Sequence, residues 1–463
     1  MVGKGADVIT LAAAWTGHDT RLIAATLIAI AVIVVLISAF KLHAFLALIL
    51  GSGVLGLIAG MPVDKLLSSF ESGVGSTVAS VGVLIALGAM LGKLLADSGG
   101  AEQIVDTIIS RAGKRTLPWA MALVAALIGL PMFFEIGLVL LIPIVLLVVK
   151  RSRQPLMLIG IPALAGLSVL HGLVPPHPGP LAAAGALNAN VGIVLAFGLL
   201  VAIPSVIIAG PLFGKLAARW VPDAVAPEHL VPERSDEDNA RRPSFGATLI
   251  TVLLPVVLML GKALSDILAA KSSEVRRVFD FIGDPLVALL AAVIVGMFTL
   301  GRAAGFSRGK LTSTVASSLG PIAGILLIVA AGGGFKQTLV DAGVGKVITQ
   351  LATGASFPAL LLGWLVAVAI RLATGSATVA TVSAAGIVGP LAATMSSTHA
   401  ALLVLAIGAG SLFFSHVNDA GFWLVKEYFG LSVGETIKSW SIMETIISVV
   451  AIAIILPLGA LIT

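Results

Sequence analysis

A single acidic residue interrupts one of the most apolar stretches of the chain. The segment LIGLPMFFEIGLVLLIPIVLLVVK, residues 127–150, contains Glu135 as its only acid and no basic residue before Lys150. A charged side chain at the centre of a bilayer costs at least about 2.5–3.5 kcal/mol on insertion scales. Taking up a proton removes that charge, and Pro131 breaks the helix beside it. We therefore interpret Glu135 as a proton-coupling residue; a neutral glutamic acid that joins two helices is the structural alternative.

A second apolar segment carries hydroxyl groups instead of an acid. In IRLATGSATVATVSAAGIVGP, residues 370–390, the candidates for substrate binding surround a glycine: Gly375, Ser376, Thr378 and Thr381. A helix broken at a glycine can direct backbone N–H groups and hydroxyls at an anion. Arg371 precedes this break, and three roles stay open for it: binding a substrate carboxylate, pairing with Glu135, or reaching the membrane surface.

Two further segments combine helix breakers with polar side chains. Four prolines in residues 167–190 exclude one regular helix and predict a re-entrant loop that lines a cavity. Residues 413–430 cluster polar groups between apolar segments, although Asn-Asp-Ala-Gly is also good turn chemistry. The candidates are His171, His416 and Asp419 for proton coupling, and His177, Asn188 and Asn418 for substrate binding.

The composition shows where these segments must lie. The chain has 463 residues, of which 58% are hydrophobic and 11% charged, with a mean hydropathy of +1.11. Soluble domains are about 45–50% apolar and about 25% charged, so this chain must face lipid. It has no cysteine, no nucleotide-binding fingerprint and no basic run suited to nucleic acid. We expect no enzyme activity, no cofactor, no metal and no nucleic-acid partner.

The hydrophobic segments predict an all-α polytopic membrane protein of about 10–14 transmembrane helices. Two apolar blocks, 118–149 and 357–393, are too long for one helix, and each is expected to form a helical hairpin. Residues 216–246 read as a hydrophilic cytoplasmic linker between an N-terminal membrane repeat, 1–215, and a C-terminal one, 247–463. Four tryptophans near the ends of predicted spans are expected to anchor at the membrane interface: Trp15, Trp119, Trp220 and Trp440.

The two repeats resemble each other weakly. Residues 90–115 and 333–354 align so that Asp97 and Gly99 match Asp341 and Gly343. The second copy lacks most of the basic residues of the first, as expected if it lies on the opposite face of the membrane. We infer inverted topology with broken helices, a pattern of secondary transporters.

Four motifs of the chain resemble those of the gluconate permease family: LPMFFEIGLVLLIPI, HGLVPPHPGP, RLATGSATVATVSAAGI and SHVNDAGFWLVKEYFGLSVGETIKSW. That family resembles a wider group that includes citrate and dicarboxylate carriers. The resemblance covers almost the whole chain. It implies a bacterial inner-membrane symporter that couples protons to uptake of gluconate or a related small hydroxy acid. It also implies a homodimer with two hairpin tips meeting at the substrate.

Other functions remain possible at this point. A sodium-coupled citrate or dicarboxylate carrier and a D-serine or glycerate permease are alternatives within transport. A membrane-embedded enzyme would need an acid–base pair or metal cluster at one interface, whereas the polar groups here are spread over both halves. A channel is disfavoured by the broken helices.

Overall fold

The computed structural model describes residues 16–131, 134–224, 241–270, 272–344, 347, 358–417 and 419–462. Within these ranges the regular elements are helices, and no strand occurs in them. A few side chains inside the helices, including that of Glu135, lie outside the description.

The first half contains these α-helices: α1 Gly17–Ser38, α2 Ala44–Ala59, α3 Val63–Thr77, α4 Val83–Asp97, α5 Gly100–Ile109, α6 Leu117–Gly129, α7 Phe134–Ser152, α8 Leu156–Leu173, α9 Pro178–Leu187, α10 Val191–Ile207 and α11 Phe213–Trp220. The second half contains these: α12 Phe245–Leu268, α13 Glu274–Ile282, α14 Pro285–Gly296, α15 Arg308–Ser317, α16 Ala323–Asp341, α17 Ala359–Thr374, α18 Ala377–Ala392, α19 Ser397–Ser411, α20 Ala420–Tyr428, α21 Val433–Thr436 and α22 Ile442–Leu461. Single π-helical turns continue several of them, at Val78–Gly82, Ile208–Leu212, Met297–Arg302 and Ile437–Ser441.

The helices are long and apolar enough to make this a multi-pass membrane protein. In the described residues, 7 continuous helical segments could cross a membrane, or 8 if the pair α4 and α5, bent by 63°, forms one span. Five shorter apolar helices accompany them: α2, α6, α17, α18 and α19. The expected all-α polytopic fold is confirmed, whereas the inverted relation of its halves stays a prediction.

The centre of the fold is formed by α8, α9 and α19. The most apolar window of the segment Leu156–Leu187 is 89% buried within the protein, against 28% for the N-terminal segment Gly17–Ile37. Glycines allow α8 and α19 to cross closely, because a Cβ atom at Gly408 would overlap the carbonyl oxygen of Gly172. Helix contacts of this kind, built on small residues, are typical of membrane interiors.

The helices break within the two long apolar blocks and the proline-rich segment, as the sequence predicts. The block 118–149 divides into α6 and α7, and the block 357–393 divides into α17 and α18. Residues 167–190, expected as a re-entrant loop, comprise the end of α8, a short break and α9. These breaks bring non-helical backbone into the interior, where it can be tolerated only in contact with protein or water.

Candidate functional site

A cavity of about 270 Å³ lies where several of these breaks meet. Its walls come from the start of α7, the end of α8, the α17–α18 tip, the segment before α20 and the start of α22. The residues that line it are Phe134, Ser168, His171, Arg371, Thr374, Gly375, Ser376, Ala377, Thr378, Leu412, Asp419, Ala420, Gly421, Trp440 and Glu444.

The α17–α18 tip is built by two adjacent residues. Gly375 ends α17 with a φ of 75°, the left-handed conformation that glycine adopts without a Cβ penalty. Ser376 begins α18 as its N-cap, and its hydroxyl accepts a hydrogen bond from the Val379 N–H at 3.3 Å. The N-terminus of a 16-residue helix therefore opens on the cavity, with Thr378 in its first turn.

A buried ion pair holds this tip to the segment opposite. The Nη2 atom of Arg371 lies 2.5 Å from Oδ2 of Asp419, and the two side chains are 4% and 14% exposed. Nη1 of Arg371 donates to the carbonyl oxygen of Gly375 at 2.6 Å. Of the roles left open for Arg371, the structure shows pairing with an acid, and that acid is Asp419.

Asp419 is positioned by its own neighbours. It is the N-cap of α20, and its Oδ1 accepts from the Gly421 N–H at 2.9 Å. Its Oδ2 accepts a hydrogen bond from the Ser415 hydroxyl in addition to the guanidinium. The indole of Trp440 in turn donates to Ser415 Oγ at 2.7 Å. The carboxylate therefore sits in a hydrogen-bonded network that fixes both of its oxygens.

Trp440 corrects one expectation. It was expected at the membrane interface, but it is 2% exposed and lines the cavity, so that prediction is wrong. It lies in the π-helical turn Ile437–Ser441, and π-turns are frequent at functional sites.

Sequence reasoning missed a second acid in the cavity. Glu444 is 1% exposed, and its Oε1 is hydrogen-bonded to the hydroxyl of Ser168 on α8. Glu444 lies in the first turn of α22, inside a predicted apolar span, so a search for lone acids in such spans would have found it. Ser168, surrounded by apolar residues, gives no such signal.

The aromatic side of the cavity comes from His171 and Phe134. Their ring centroids are 6.0 Å apart, and Phe134 also contacts Trp440 at 5.5 Å. Phe134 directly precedes Glu135, so α7 begins at the cavity wall. Glu135 itself was predicted to carry a proton, and its side chain lies outside the description, as does Asn418.

The remaining predicted site residues lie outside this cavity. His177 is buried with Nε2 donating to the Gly129 carbonyl at 2.6 Å, which ties the start of α9 to the end of α6. His416 Nε2 lies 3.1 Å from the Leu372 carbonyl oxygen. Thr381 is 1% exposed on α18. Asn188 lines a different cavity.

Broken helices around a buried, charged cavity in a multi-pass membrane protein define a transport protein. Residues 21–462 match the sequence model of the GntP family permease, and the chain belongs to that family. It is a permease of the bacterial inner membrane and not an enzyme. The predicted family and location are thereby confirmed.

Relatives match over nearly their whole length. A gluconate permease of Pseudomonas aeruginosa is 52% identical over 442 residues, covering 96% of this chain and 98% of its own. The Gnt-II system L-idonate transporter of Escherichia coli is 44% identical, covering 93% and 97%. A high-affinity gluconate transporter of Escherichia coli is also 44% identical, covering 91% and 95%.

Among solved structures, the fold resembles two transporters at low sequence identity. The YdaH transporter of Alcanivorax borkumensis superposes with a TM-score of 0.62 and 19% identity, covering 86% of this chain and 90% of that one. MtrF of Neisseria gonorrhoeae superposes with a TM-score of 0.63 and 15% identity, covering 85% and 83%. These similarities support the fold alone.

Proposed function

We propose that this permease takes up gluconate, or a closely related sugar acid, together with protons. Support for the substrate comes from relatives described as gluconate permeases or gluconate transporters, at 52% and 44% identity over nearly the whole chain. A relative described as an L-idonate transporter makes other six-carbon sugar acids the natural competitors.

The observation that carries the proposal is the Arg371–Asp419 pair in the cavity wall. A guanidinium can bind a carboxylate through two parallel N–H donors, and Nη1 of Arg371 is held in place by the Gly375 carbonyl. A sugar acid presents the same chemical group as Asp419. Arg371 therefore has a resident carboxylate that an incoming one can replace.

Proton coupling follows from this competition. While Asp419 is ionised, it occupies Arg371 and disfavours a second carboxylate beside it. A proton on Asp419 removes the charge that holds the guanidinium, and the substrate carboxylate then takes its place. A ligand shifts an equilibrium only by its differential affinity for the two states, and here the protonated carrier is the one that binds substrate.

Other cavity groups suit the polyol part of the substrate. Ser376 and Thr378 present hydroxyl groups and helix N–H groups near the guanidinium. Ser168 and Glu444 form a hydrogen-bonding surface on the opposite helices. Phe134 supplies an apolar wall against the carbon chain. The proposal also includes Asn418, which is predicted from the sequence to bind substrate.

Glu135 is the alternative proton carrier, because it follows Phe134 at the start of α7. Histidines have supporting roles in this scheme: His171 lines the cavity, and His416 ties the segment before α20 to α17. We favour Asp419 because its carboxylate contacts the guanidinium of Arg371.

The test is uptake of labelled gluconate into proteoliposomes under an imposed pH gradient, with sodium replaced by choline. We expect accumulation that needs the gradient, survives without sodium and is inhibited by idonate. Accumulation that requires sodium, or that ignores the pH gradient, would refute proton coupling. Crosslinking in native membranes tests the homodimer that the family resemblance implies.

A further inference from the structure

A second and larger cavity, of about 670 Å³, lies away from the Arg371 site. It is lined by the end of α3, the end of α9, the start of α14 and the middle of α16. Its polar side chains are Ser76, Thr77, Asn188, Asp284, Lys336 and Gln337. No residue of the first cavity wall lines this one.

Lys336 is the cation of this cavity. It is half-buried on α16, and among the described residues its amine has no hydrogen-bond or ion-pair partner. The neighbouring Gln337 is occupied, since its Nε2 donates to Asp341 Oδ1 at 2.9 Å. An unpaired ammonium at membrane depth is costly and is a functional-site hypothesis by default.

Close helix packing places Lys336 in the cavity. A Cβ atom at Gly333 would overlap the side chain of Thr77, so α3 can cross α16 tightly only at a glycine. A Cβ atom at Gly386 of α18 would lie 3.6 Å from the Cβ of Lys336. The base of the Lys336 side chain therefore lies beside α18, and Lys336 lines the cavity between the helices.

Two helices run from the first cavity to the second. α9 begins at His177, whose ring lies 5.7 Å from His171 in the first cavity, and ends at Asn188 in the second. α18 begins at Ser376 in the first cavity and reaches Lys336 at Gly386. The two helices pack against each other. Each covers ten residues between the cavities, or roughly 15 Å at the α-helical rise.

We propose that the second cavity is an additional binding site for a small hydroxylated carboxylate, with Lys336 binding the carboxylate. This inference rests on the proposed function, since the anion is the same sugar acid. Asn188 and Thr77 supply partners for its hydroxyl groups. Asp284, whose Oδ1 caps α14 at 3.0 Å from the Leu286 N–H, places a negative charge in the same cavity. That charge opposes the binding of an anion and so favours its release.

Chemical protection of the amine tests occupancy directly. Purified protein is acylated with a small amine reagent in the presence of gluconate, acetate, citrate or the neutral polyol glucitol, and modification at Lys336 is measured by peptide mass spectrometry. We expect the carboxylates, and not glucitol, to reduce modification of Lys336, while the exposed Lys114 is unaffected. Protection must persist in Arg371→Gln, because that variant leaves the second cavity intact.

Transport kinetics supply the second measurement. Lys336→Gln is expected to lower the rate of gluconate uptake by about tenfold, as for the loss of one charged hydrogen bond, whereas Lys336→Arg retains it. Any of three results would refute the second site. They are modification of Lys336 that no carboxylate reduces, protection that disappears in Arg371→Gln, and normal uptake by Lys336→Gln. If acetate or citrate reduces modification of Lys336 but gluconate does not, the proposed substrate is refuted instead.

Discussion

Replacing Asp419 by asparagine tests the proposed coupling most directly. Asparagine has nearly the shape of a protonated aspartic acid. Its oxygen can still cap α20 by accepting from the Gly421 N–H, and its NH2 group can donate to Ser415 Oγ, so the segment keeps its fold. The Arg371 guanidinium, 4% exposed, then loses its counter-charge. Removing one partner of a buried pair costs about 3–5 kcal/mol, mostly because the other charge is left uncompensated.

A substrate carboxylate recovers part of that cost when it binds. Since about 1.4 kcal/mol corresponds to a tenfold change in affinity, Asp419→Asn should bind gluconate at least about tenfold more tightly than the wild-type protein above neutral pH. Wild-type affinity should increase as pH falls, by up to about tenfold per unit for one linked proton. The affinity of the variant should be independent of pH across the same interval.

Two assays on the same preparation give the answer. Equilibrium binding of labelled gluconate measures affinity against pH, and proteoliposomes measure accumulation under a pH gradient and exchange of internal for external gluconate. We expect Asp419→Asn to exchange substrate but not accumulate it. Gradient-driven accumulation by the variant, or binding that stays as pH-dependent as in the wild type, would refute the reasoning.

Three other substitutions test separate parts of the structure. Glu135→Gln should retain gradient-driven accumulation, because in the proposed mechanism Asp419 carries the proton. Loss of accumulation with exchange intact would instead identify Glu135, on α7, as the proton carrier. Gly408→Ala should destabilise the protein by about 1–3 kcal/mol, because the added methyl overlaps the Gly172 carbonyl, and a thermal shift in detergent measures this. Ser168→Ala removes the hydrogen bond to the buried carboxyl of Glu444, which should cost about 1–3 kcal/mol in the same thermal assay.

Matched controls exist for the two stability variants. A Cβ atom at Gly75, on α3, would meet nothing within 4 Å, so Gly75→Ala should not lower the melting temperature. Ser68 is exposed and bonds only its own helix, so Ser68→Ala should be neutral as well. If the test variants behave like these controls, the crossing of α8 with α19 and the Ser168 hydrogen bond contribute little to the stability of the protein.

Much of the fold could be predicted from residue types that act locally. Gly375 and Ser376 divide one long apolar block because a left-handed glycine ends one helix and a serine caps the next. Arg371 and Asp419 were singled out separately because each is a charge among apolar neighbours. Their pairing could not be predicted, since 48 positions separate them and sequence spacing does not fix which tips meet.

The direction of individual side chains was harder to predict. Asn188 was expected beside the substrate site, yet it lines the cavity at the far end of α9. A ten-residue helix displaces its two ends by roughly 15 Å, so membership of one broken segment does not place residues in one cavity. Trp440 was assigned by its position in the span, but the π-turn and the Ser415 contact hold it inside.

The proposed exchange of the Asp419 carboxylate for the substrate carboxylate at Arg371 bears on the energy source of transport. In the proposed mechanism the unloaded site holds the Arg371 cation and an ionised Asp419. The loaded site holds the same cation, a neutral Asp419 and the anionic substrate. The charges at this site sum to zero in both forms. A membrane potential of 100 mV, worth about 2.3 kcal/mol per unit charge, therefore does no work on either form. We therefore expect an electroneutral cycle, driven by the proton concentration difference and insensitive to voltage clamped with potassium and valinomycin.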